Sequence, residues 1–426
     1  MRIVIADLPL AHKDPDRFFV YPFGAAYVAS YAKRRFPEHK IYIERDPAGV
    51  AERSPDLLGI SSLTENYPLA RELASQWAGR IPVIVGGHHI TAVPHDLPEG
   101  ALAGVIGEGE EAFTDLIQAC AAGKTDPRDL REIPGIVCRE KGAPQLTPSR
   151  TLIKDLDSLP FPLRDLGSRS SGFSFTSRGC PFRCRFCAST ELWRSYRTHS
   201  PEYVQKEIRM LVERHDTRYI YFLDDLFAAK KARLARIRDL LVSSGLRDSL
   251  SFCGSVRADV WDEDLGRILS EMNFRAIFFG AESGSDRVLS LMKKGTTVAQ
   301  NQRVLDDCKR LGIQVEASFV IGFPGEKAGD LEMTLEFIEK NRNRLGRIGV
   351  TPLVAFPKTP VWEEAIRSGK ISRFPPWETF RLQEIDVFDP KDYLFLNDGM
   401  SFDTFLHYVD RLRSLHLELN SPERDR

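Results

Sequence analysis

Short apolar runs alternate with amphipathic helical patterns along the first part of the chain. Runs typical of buried strands lie at 2–9, 40–46, 57–64, 81–87 and 103–107, and helical patterns lie at 23–36, 67–80 and 110–123. Strands that alternate with helices in this way predict a parallel, doubly wound sheet of the Rossmann-like kind. Ligands of such sheets bind beyond the carboxyl ends of the strands.

Three of these strand ends lead into loops of small or hydroxyl-bearing residues. The loops are Ser61–Asn66, Gly86–Thr91 and Gly107–Glu110. Glycines and small side chains let a large ligand approach the backbone closely. We therefore expect a large ligand at this edge of the first sheet.

A second series of strand and helix patterns begins at residue 172. It contains six strand–helix repeats up to residue 365, which predict a partial (β/α)6 barrel, open on one side, with its chemistry at the carboxyl ends of the strands. Polar residues and glycine stand at four of these ends: Asp224 and Asp225, Arg257, Glu282 and Ser283, and Gly322. Their common placement on one rim favours a ligand site over isolated helix caps or structural ion pairs.

Composition agrees with a globular protein of several domains. The chain is 42% hydrophobic and carries 59 basic and 60 acidic residues, so its net charge does not favour a nucleic-acid partner. Residues 141–171 are rich in proline, serine and glycine, as in a linker. We predict a Rossmann-like domain at 1–140, this linker, the partial barrel at 172–365 and a small, mostly helical segment at 366–426.

Three of the seven cysteines lie together in the loop after the first barrel strand. Cys180, Cys184 and Cys187 have the spacing C-x3-C-x2-C, and Phe186 precedes the third. Thiolates are soft ligands for iron–sulfur clusters and zinc. Three thiolates and no fourth cysteine nearby would leave one iron of a 4Fe–4S cluster open, whereas a Cys3His zinc site would need His199.

The other cysteines and the arginines of this loop have simpler interpretations. Four cysteines are scattered and are expected to be small buried hydrophobic residues: Cys120, Cys138, Cys253 and Cys308. An odd total without a secretory signal does not favour a disulfide framework. Arg178, Arg183 and Arg185 either offset the charge of the thiolates or are solvated loop residues.

The cysteine spacing with its aromatic residue resembles the signature of the radical S-adenosylmethionine (SAM) enzymes. In that family the open iron binds the amino and carboxylate groups of SAM, and reductive cleavage of SAM gives a 5′-deoxyadenosyl radical. The resemblance implies SAM contacts from the signature and from the strand ends: Phe186, Asp224, Asp225, Arg257, Glu282, Ser283 and Gly322. Carboxylates suit a ribose diol or an ammonium group through charge-assisted hydrogen bonds.

The first domain resembles the cobalamin-binding domain that precedes many radical SAM cores. The resemblance rests on SSLTEN, VIVGGHHITAVP and VIGEGEEAF, in this order. It implies a cobalamin site made by these loops: Ser61, Ser62, Thr64, Gly86, Gly87, His88, His89 and Glu108. The D-x-H-x-x-G motif that supplies a histidine to cobalt in other cobalamin proteins is absent, so cobalt is expected without a protein histidine. The alternative is that the two histidines only close their loop and that Glu108 only meets a helix dipole.

The two resemblances imply an oxygen-sensitive enzyme with a 4Fe–4S cluster, SAM and cobalamin. Its commonest chemistry is methylation of an unactivated carbon of a small-molecule, lipid or natural-product substrate. Radical cyclisation or rearrangement is the first alternative, and a radical SAM enzyme with a vestigial first domain is the second. A zinc- or cluster-bearing binding protein would need no SAM-contacting strand ends. Methylthiotransferases that act on tRNA have three cysteines in their first domain, where this chain has Cys120 and Cys138.

The resemblances and the sequence also predict the partners and the location of the protein. We expect a small-molecule substrate and an external one-electron reductant of the flavodoxin or ferredoxin type, without nucleic acid. The sequence has no run of eighteen apolar residues, so no membrane span is expected. The start, MRIVIADLP, reads as a strand rather than a signal peptide, which predicts a cytoplasmic enzyme.

Overall fold

The computed structural model of the protein describes residues 1–10, 21–164 and 172–421. These residues form two compact units. The first contains the described residues before Gly172 together with Phe374–Phe380, and the second contains Gly172–Arg373 and the described residues from Arg381 onward.

The first unit is built on a seven-stranded sheet. Its strands, β1 to β7, are Arg2–Asp7, Lys40–Glu44, Leu57–Ser61, Val83–Gly86, Ala103–Val105, Ile136–Glu140 and Ala143–Leu146. The strand order is β2-β1-β3-β4-β5-β6-β7. Strands β1 to β5 are parallel and the last two are antiparallel to their neighbours. Because the order reverses between β1 and β3, the carboxyl ends of these strands flank the position where such folds bind ligands.

Helices of this unit connect the parallel strands. Helices α1 to α6 are Phe23–Arg35, Pro47–Arg53, Tyr67–Trp77, His88–Ala92, Gly109–Ala121 and Pro127–Leu130. The doubly wound parallel sheet predicted from the sequence is confirmed. Its strands are buried on both faces, and the side chains of β3 and β4 include Leu57, Leu58, Val83 and Val85 at no measurable exposure, as expected for a parallel sheet between helices.

The hairpin β6–β7 extends the first sheet into the stretch that the sequence suggested was linker. Lys141 and Gly142 connect its strands with φ of +50° and +83°, the two positive values that a two-residue hairpin turn requires. The linker therefore does not begin at residue 141, since residues 143–146 form an edge strand. The part of the predicted linker at 165–171 lies outside the described residues.

The second unit is built on a six-stranded parallel sheet. Strands β8 to β15 are Phe173–Ser174, Ser177–Arg178, Arg197–Thr198, Tyr219–Phe222, Ser251–Val256, Phe274–Glu282, Gln314–Ile321 and Arg347–Pro352. The large sheet has the order β15-β14-β13-β12-β11-β8, and β9 pairs with β10 as a separate ribbon. The order follows the chain without closing on itself, so the partial barrel predicted from the sequence is confirmed.

Helices alternate with the strands of this unit along the chain. Helices α7 to α15 are Ser189–Trp193, Pro201–His215, Lys231–Ser243, Glu263–Glu271, Asp286–Leu291, Val298–Leu311, Ala328–Lys340, Pro360–Arg367 and Phe402–Leu419. The start of α8 is confirmed: the Ser200 hydroxyl accepts a hydrogen bond from the Tyr203 N–H at 3.0 Å, and Pro201 occupies the first helical position.

The C-terminal helix α15 packs against α13 and the edge strand β15. Phe405, Val409 and Leu412 are buried in the main core of this unit, and Phe402 and Leu406 pack against it. The apolar face predicted from the sequence is confirmed. Among the described residues, no helix has both the length and the apolar character needed to cross a bilayer.

Candidate functional site

The cysteine loop lies between β9 and α7. Cys184 is buried, and Cys180 and Cys187 are partly buried. Burial raises the pKa of the Cys187 thiol to about 12 and also raises the pKa of Cys180. These two thiols are therefore protonated near neutral pH in the free protein. A metal centre that binds them must displace their protons.

The spread of the thiols distinguishes a cluster from a single zinc ion. Among the described residues, the set whose ligand atoms all lie within 4.8 Å of one another is Glu384, Asp386 and His416. At least one pair of the three cysteine sulfurs is thus more than 4.8 Å apart, whereas ligands of one tetrahedral zinc would be separated by about 3.8 Å. A cluster with several irons suits the wider spacing. The residues present fit such a cluster, with three soft thiol donors in one loop.

His199 does not approach the cysteine sulfurs as a fourth zinc ligand would. Its ring is stacked on Tyr203, with the ring centroids 3.9 Å apart, and its backbone N–H donates to the Thr176 carbonyl at 2.9 Å. The side chain is buried at the start of α8. The geometry therefore does not favour the Cys3His zinc alternative.

The turn after α11 packs against the cysteine loop. The Arg185 N–H donates to the Met292 carbonyl at 2.9 Å, and Arg185 Nη1 donates to the Leu291 carbonyl at 3.1 Å. Arg257 Nη2 donates to the carbonyl of Lys294 in the same turn. This turn was not recognised from the sequence, because MKKG looks like a solvated connection between two helices.

Arg257 follows β12 and points at the cysteine loop. Its Nη1 donates to the Cys184 sulfur at 3.3 Å, and Nε and Nη2 donate to the two carboxylate oxygens of Asp259 at 3.0 and 2.9 Å. The guanidinium carbon lies 3.7 Å from the centroid of the Phe182 ring. The predicted SAM ligand Arg257 is thus placed on a cysteine sulfur.

The two aspartates after β11 have different surroundings. Asp224 is buried and accepts hydrogen bonds from the Thr176 N–H at 3.2 Å, from the Thr176 hydroxyl at 3.0 Å and from the Ser177 hydroxyl. Burial raises its pKa to about 6. Asp225 is exposed, and the Ser189 hydroxyl donates to it at 2.7 Å. Asp224 therefore supports the start of the barrel, whereas Asp225, in the turn that follows, lies beside the cysteine loop.

Glu282 ends β13 in a left-handed conformation, with φ of +61°. Its Oε1 accepts a hydrogen bond from Lys294 Nζ at 2.6 Å, and the two side chains are 8% and 6% exposed. A Cβ at Gly280 would lie 2.3 Å from that oxygen and 2.7 Å from that nitrogen, so a larger residue there would displace the ends of these two side chains. Strained backbone of this kind is typical of functional sites.

Ser283, next to Glu282, is also buried. Its hydroxyl lies 3.3 Å from the Thr334 hydroxyl and accepts from the Ser285 N–H at 3.1 Å. These contacts fix the turn after β13. Phe186 lies partly buried between Cys184 and Cys187.

Gly322 follows β14 and is covered by the C-terminal segment. A Cβ there would lie 3.0 Å from the Tyr393 hydroxyl. Glu326 accepts a hydrogen bond from the Gly322 N–H at 2.6 Å through Oε2, and its Oε1 has no hydrogen-bond partner among the described residues. Asn397 accepts from the Gly325 N–H at 3.1 Å and donates to the Glu326 carbonyl at 2.9 Å. The C-terminal segment thus braces this loop, a role that the sequence did not reveal.

The buried carboxyl of Glu326 predicts a pH-dependent stability. Burial raises its pKa to about 8, whereas glutamate in an unfolded chain titrates near about 4.3. Between these values the folded protein holds a proton that the unfolded chain has lost. As the pH rises through this window, the free energy of unfolding should therefore fall by about 1.4 kcal/mol per pH unit.

Glu326→Gln cannot titrate and is expected to remove this loss. The thermal midpoint of the variant should match that of the wild type at about pH 5 and exceed it increasingly towards about pH 8. Thermal melts over this pH range test the expectation. The control is Glu336→Gln at an exposed position, which should follow the wild type. Parallel pH profiles of Glu326→Gln and wild type would contradict it.

In the first unit, the three predicted ligand loops contact one another. The Ser62 N–H donates to the Gly86 carbonyl at 2.9 Å, and the His89 N–H donates to the Ser62 carbonyl at 3.1 Å. The Gly107 N–H donates to the Thr91 hydroxyl at 2.9 Å. The structure therefore brings the ends of β3, β4 and β5 together in one surface.

Gly87 makes the close approach of two of these loops possible. Its φ is +94°, and a Cβ there would lie 2.5 Å from the Ser62 carbonyl oxygen. No other residue type fits this position without moving the neighbouring loop. The glycine pair thus has a structural function independent of any ligand.

The two histidines after this glycine differ in exposure. His88 is exposed at the first turn of α4, whereas His89 is fully buried. His89 stacks on Tyr67 with centroids 3.8 Å apart, and its ring nitrogens lie 3.3 Å from the Thr64 hydroxyl and from Asp96. His89 and Thr64 therefore belong to the interior, which the sequence did not separate from the ligand surface.

Trp377, far along the chain, completes this interior network. Its ring lies edge-on to His89 with centroids 4.7 Å apart, and its Nε1 donates to Asp96. The segment Phe374–Phe380 thereby joins the first unit. No local sequence signal indicates this contact.

The remaining predicted cobalamin residues lie at the edges of the same loops. Ser61 ends β3 and hydrogen-bonds Asp7 at the end of β1, where burial raises the pKa of Asp7 to about 6. Glu108 precedes α5, and its carboxylate accepts from the Ile153 N–H at 2.8 Å. Glu108 thus holds the chain that leaves the first sheet.

Sequence comparisons agree with a cobalamin-binding domain followed by a radical SAM core. Residues 174–338 match the radical SAM superfamily, and residues 16–117 match the B12 binding domain. An uncharacterized methyltransferase of Pyrococcus horikoshii is 32% identical over 372 residues, which cover 81% of this chain and 78% of that protein. This chain belongs to the cobalamin-dependent radical SAM family. Its cofactors are accordingly a 4Fe–4S cluster, SAM and cobalamin.

Two further similarities bear on fold and reaction. An anaerobic magnesium-protoporphyrin IX monomethyl ester cyclase of Rubrivivax gelatinosus is 27% identical over 339 residues, covering 74% of this chain and 61% of the cyclase, less than two thirds of its length. The structure of the radical SAM methyltransferase TsrM from Kitasatospora setae, with cobalamin and a [4Fe–4S] cluster bound, has a TM-score of 0.70 at 19% identity and covers 88% of this chain and 76% of TsrM. The second similarity shows a shared fold.

Proposed function

We propose that this enzyme moves a methyl group from SAM, by way of cobalamin, to an unactivated carbon of a small-molecule substrate. The observation that carries the proposal is the presence of both domains in one chain whose 32% identical relative is named a methyltransferase. The cluster supplies an electron to cleave SAM, and cobalamin supplies a methyl carrier. An external one-electron donor of the flavodoxin or ferredoxin type would be the reductant.

Each set of residues has a separate role in this proposal. Cys180, Cys184 and Cys187 would hold the cluster, which their grouping in one loop supports. Asp225 and Phe186 would face SAM, since Asp225 is the exposed carboxylate beside the cysteines.

The other predicted SAM residues would shape that site from within. This group already has partners inside the protein or close packing around it: Asp224, Arg257, Glu282, Ser283 and Gly322. Glu282 combines a left-handed backbone with a buried lysine, which suits a preorganised carboxylate whose second oxygen meets the ligand.

Cobalamin would lie on the surface formed by the ends of β3, β4 and β5. The accessible residues of this protein surface include His88, Gly107 and Leu63, which is 37% exposed. The fully buried His89 would support this surface without reaching cobalt. Gly86, Gly87 and Ser62 would bring the loop backbones close to the ligand.

Radical cyclisation or rearrangement is the second candidate. The similarity to the Rubrivivax cyclase favours it specifically.

Product analysis without added substrate separates these candidates. The reconstituted enzyme is incubated anaerobically with SAM, cobalamin and a chemical reductant, and S-adenosylhomocysteine and 5′-deoxyadenosine are measured. Methyl transfer from SAM must leave S-adenosylhomocysteine, so we expect both products, with S-adenosylhomocysteine lost when cobalamin is omitted. Formation of 5′-deoxyadenosine alone with cobalamin bound would favour cyclisation or rearrangement.

A further inference from the structure

The hydrogen bond from Arg257 to Cys184 joins two parts of the barrel that are 73 residues apart in sequence. The guanidinium is nearly enclosed, since Arg257 is 5% exposed. Nη1 lies 3.3 Å from the sulfur, a normal distance for a bond from nitrogen to sulfur. A buried cation in contact with a thiol sulfur stabilises negative charge on that sulfur more strongly than a solvated one would.

The direction of this hydrogen bond is fixed by three other contacts. Asp259 binds the opposite edge of the guanidinium through both oxygens, and Nη2 also donates to the Lys294 carbonyl. The ring of Phe182 covers one face of the group. Nη1 is therefore held towards Cys184, and the side chain has little freedom to turn elsewhere.

The arginines within the cysteine loop are placed differently. Arg183 is exposed, and Arg185 binds the carbonyl of Leu291 and the carboxylate of Glu364. The guanidinium carbon of Arg178 lies 5.6 Å from the centroid of the Trp193 ring. The guanidinium that donates to the Cys184 sulfur is instead that of Arg257, which follows β12 and lies outside the cysteine loop.

We propose that Arg257 is a positioning residue for the cluster, donating a hydrogen bond to the Cys184 sulfur and thereby raising the reduction potential of the cluster. This inference rests on the proposed ligation by the three cysteines. Reduction adds negative charge that spreads onto the thiolate sulfurs, and hydrogen bonds to sulfur are among the factors that set cluster potentials. A buried cationic donor favours the reduced state. The electron needed to cleave SAM is then accepted from a donor of less negative potential.

Redox titration followed by electron paramagnetic resonance tests the inference. The full-length protein is reconstituted with its cluster, without SAM, and the midpoint potential is measured for wild type, Arg257→Met and Arg183→Met. Methionine keeps much of the length of the side chain and removes its charge and donors. Arg257→Met should retain full iron content and titrate at a more negative potential, whereas the exposed control Arg183→Met should titrate with the wild type.

The outcomes separate this role from the others. An unchanged potential in fully loaded Arg257→Met overturns the inference, and weaker SAM binding with that unchanged potential assigns Arg257 to SAM. If Arg257→Met assembles no cluster, the more polar variant Arg257→Gln decides by the same titration. Unlike lysine, which would keep a cationic donor, a neutral glutamine removes the charge, so a wild-type potential in that variant also overturns the inference. The proposed ligation fails separately, if cysteine variants keep their iron.

Discussion

Replacing Cys180, Cys184 and Cys187 together by alanine is expected to leave the protein with almost no bound iron. Wild-type protein reconstituted anaerobically should hold about four irons and four sulfides per chain. The cluster's remaining contacts cannot replace three iron–thiolate bonds. Iron and sulfide analysis with the visible absorption of the cluster measures the loss, and SAM cleavage to 5′-deoxyadenosine should disappear with it.

A single cysteine outside the loop provides the matched control. Cys120 is partly buried on α5, in the other unit, so Cys120→Ala should retain full iron content. Circular dichroism would show that the triple variant is folded, because the loop lies outside the main hydrophobic core. Full iron content in the folded triple variant, or zinc in place of iron in the wild type, would contradict the assignment.

The cluster loop was predictable because its chemistry is local. Three soft ligands lie within a few residues of one another, and no tertiary contact is needed to see them. The start of α8 was predictable for the same reason, because a serine cap and a first-turn proline mark it locally. The sheets were predictable because apolar strand runs alternate with amphipathic helices.

Contacts between distant residues were not predictable. Asp224 and Asp225 look equivalent in the sequence, yet only Asp225 is exposed, because Thr176 and Ser177 enclose Asp224 with hydrogen bonds. His88 and His89 also look equivalent in the sequence, yet His88 is exposed and His89 is buried. Trp377 lies 281 residues from Asp96, to which it donates. Such pairs are fixed by the packing of the whole unit and leave no local pattern.

Lys293 and Lys294 show the same limit within a single turn. Lys293 is exposed, whereas Lys294 is buried against Glu282. In the sequence, both belong to a basic connection between α11 and α12. The buried ion pair nevertheless predicts one of the largest effects of a single substitution in this chain.

Lys294→Met is expected to destabilise the barrel by about 3–5 kcal/mol, because it leaves the Glu282 carboxylate buried without its cation. The thermal midpoint should fall by roughly 6–20 °C, given about 2–4 °C per kcal/mol for a domain of this size. Lys293→Met removes the same group from an exposed position one residue away and should shift the midpoint very little.

The double variant Lys294→Met/Glu282→Gln separates the loss of a charge pair from a loss of packing. If the uncompensated carboxylate causes the instability, neutralising it should restore much of the midpoint, since replacing both partners of a buried pair is far less costly than removing one. A double variant as unstable as the sum of its two single variants would instead show independent contributions. Equal shifts in the Lys293 and Lys294 variants would mean that Lys294 makes no buried ion pair, and the proposed SAM contact of Glu282 would then lack the lysine that orients its carboxylate.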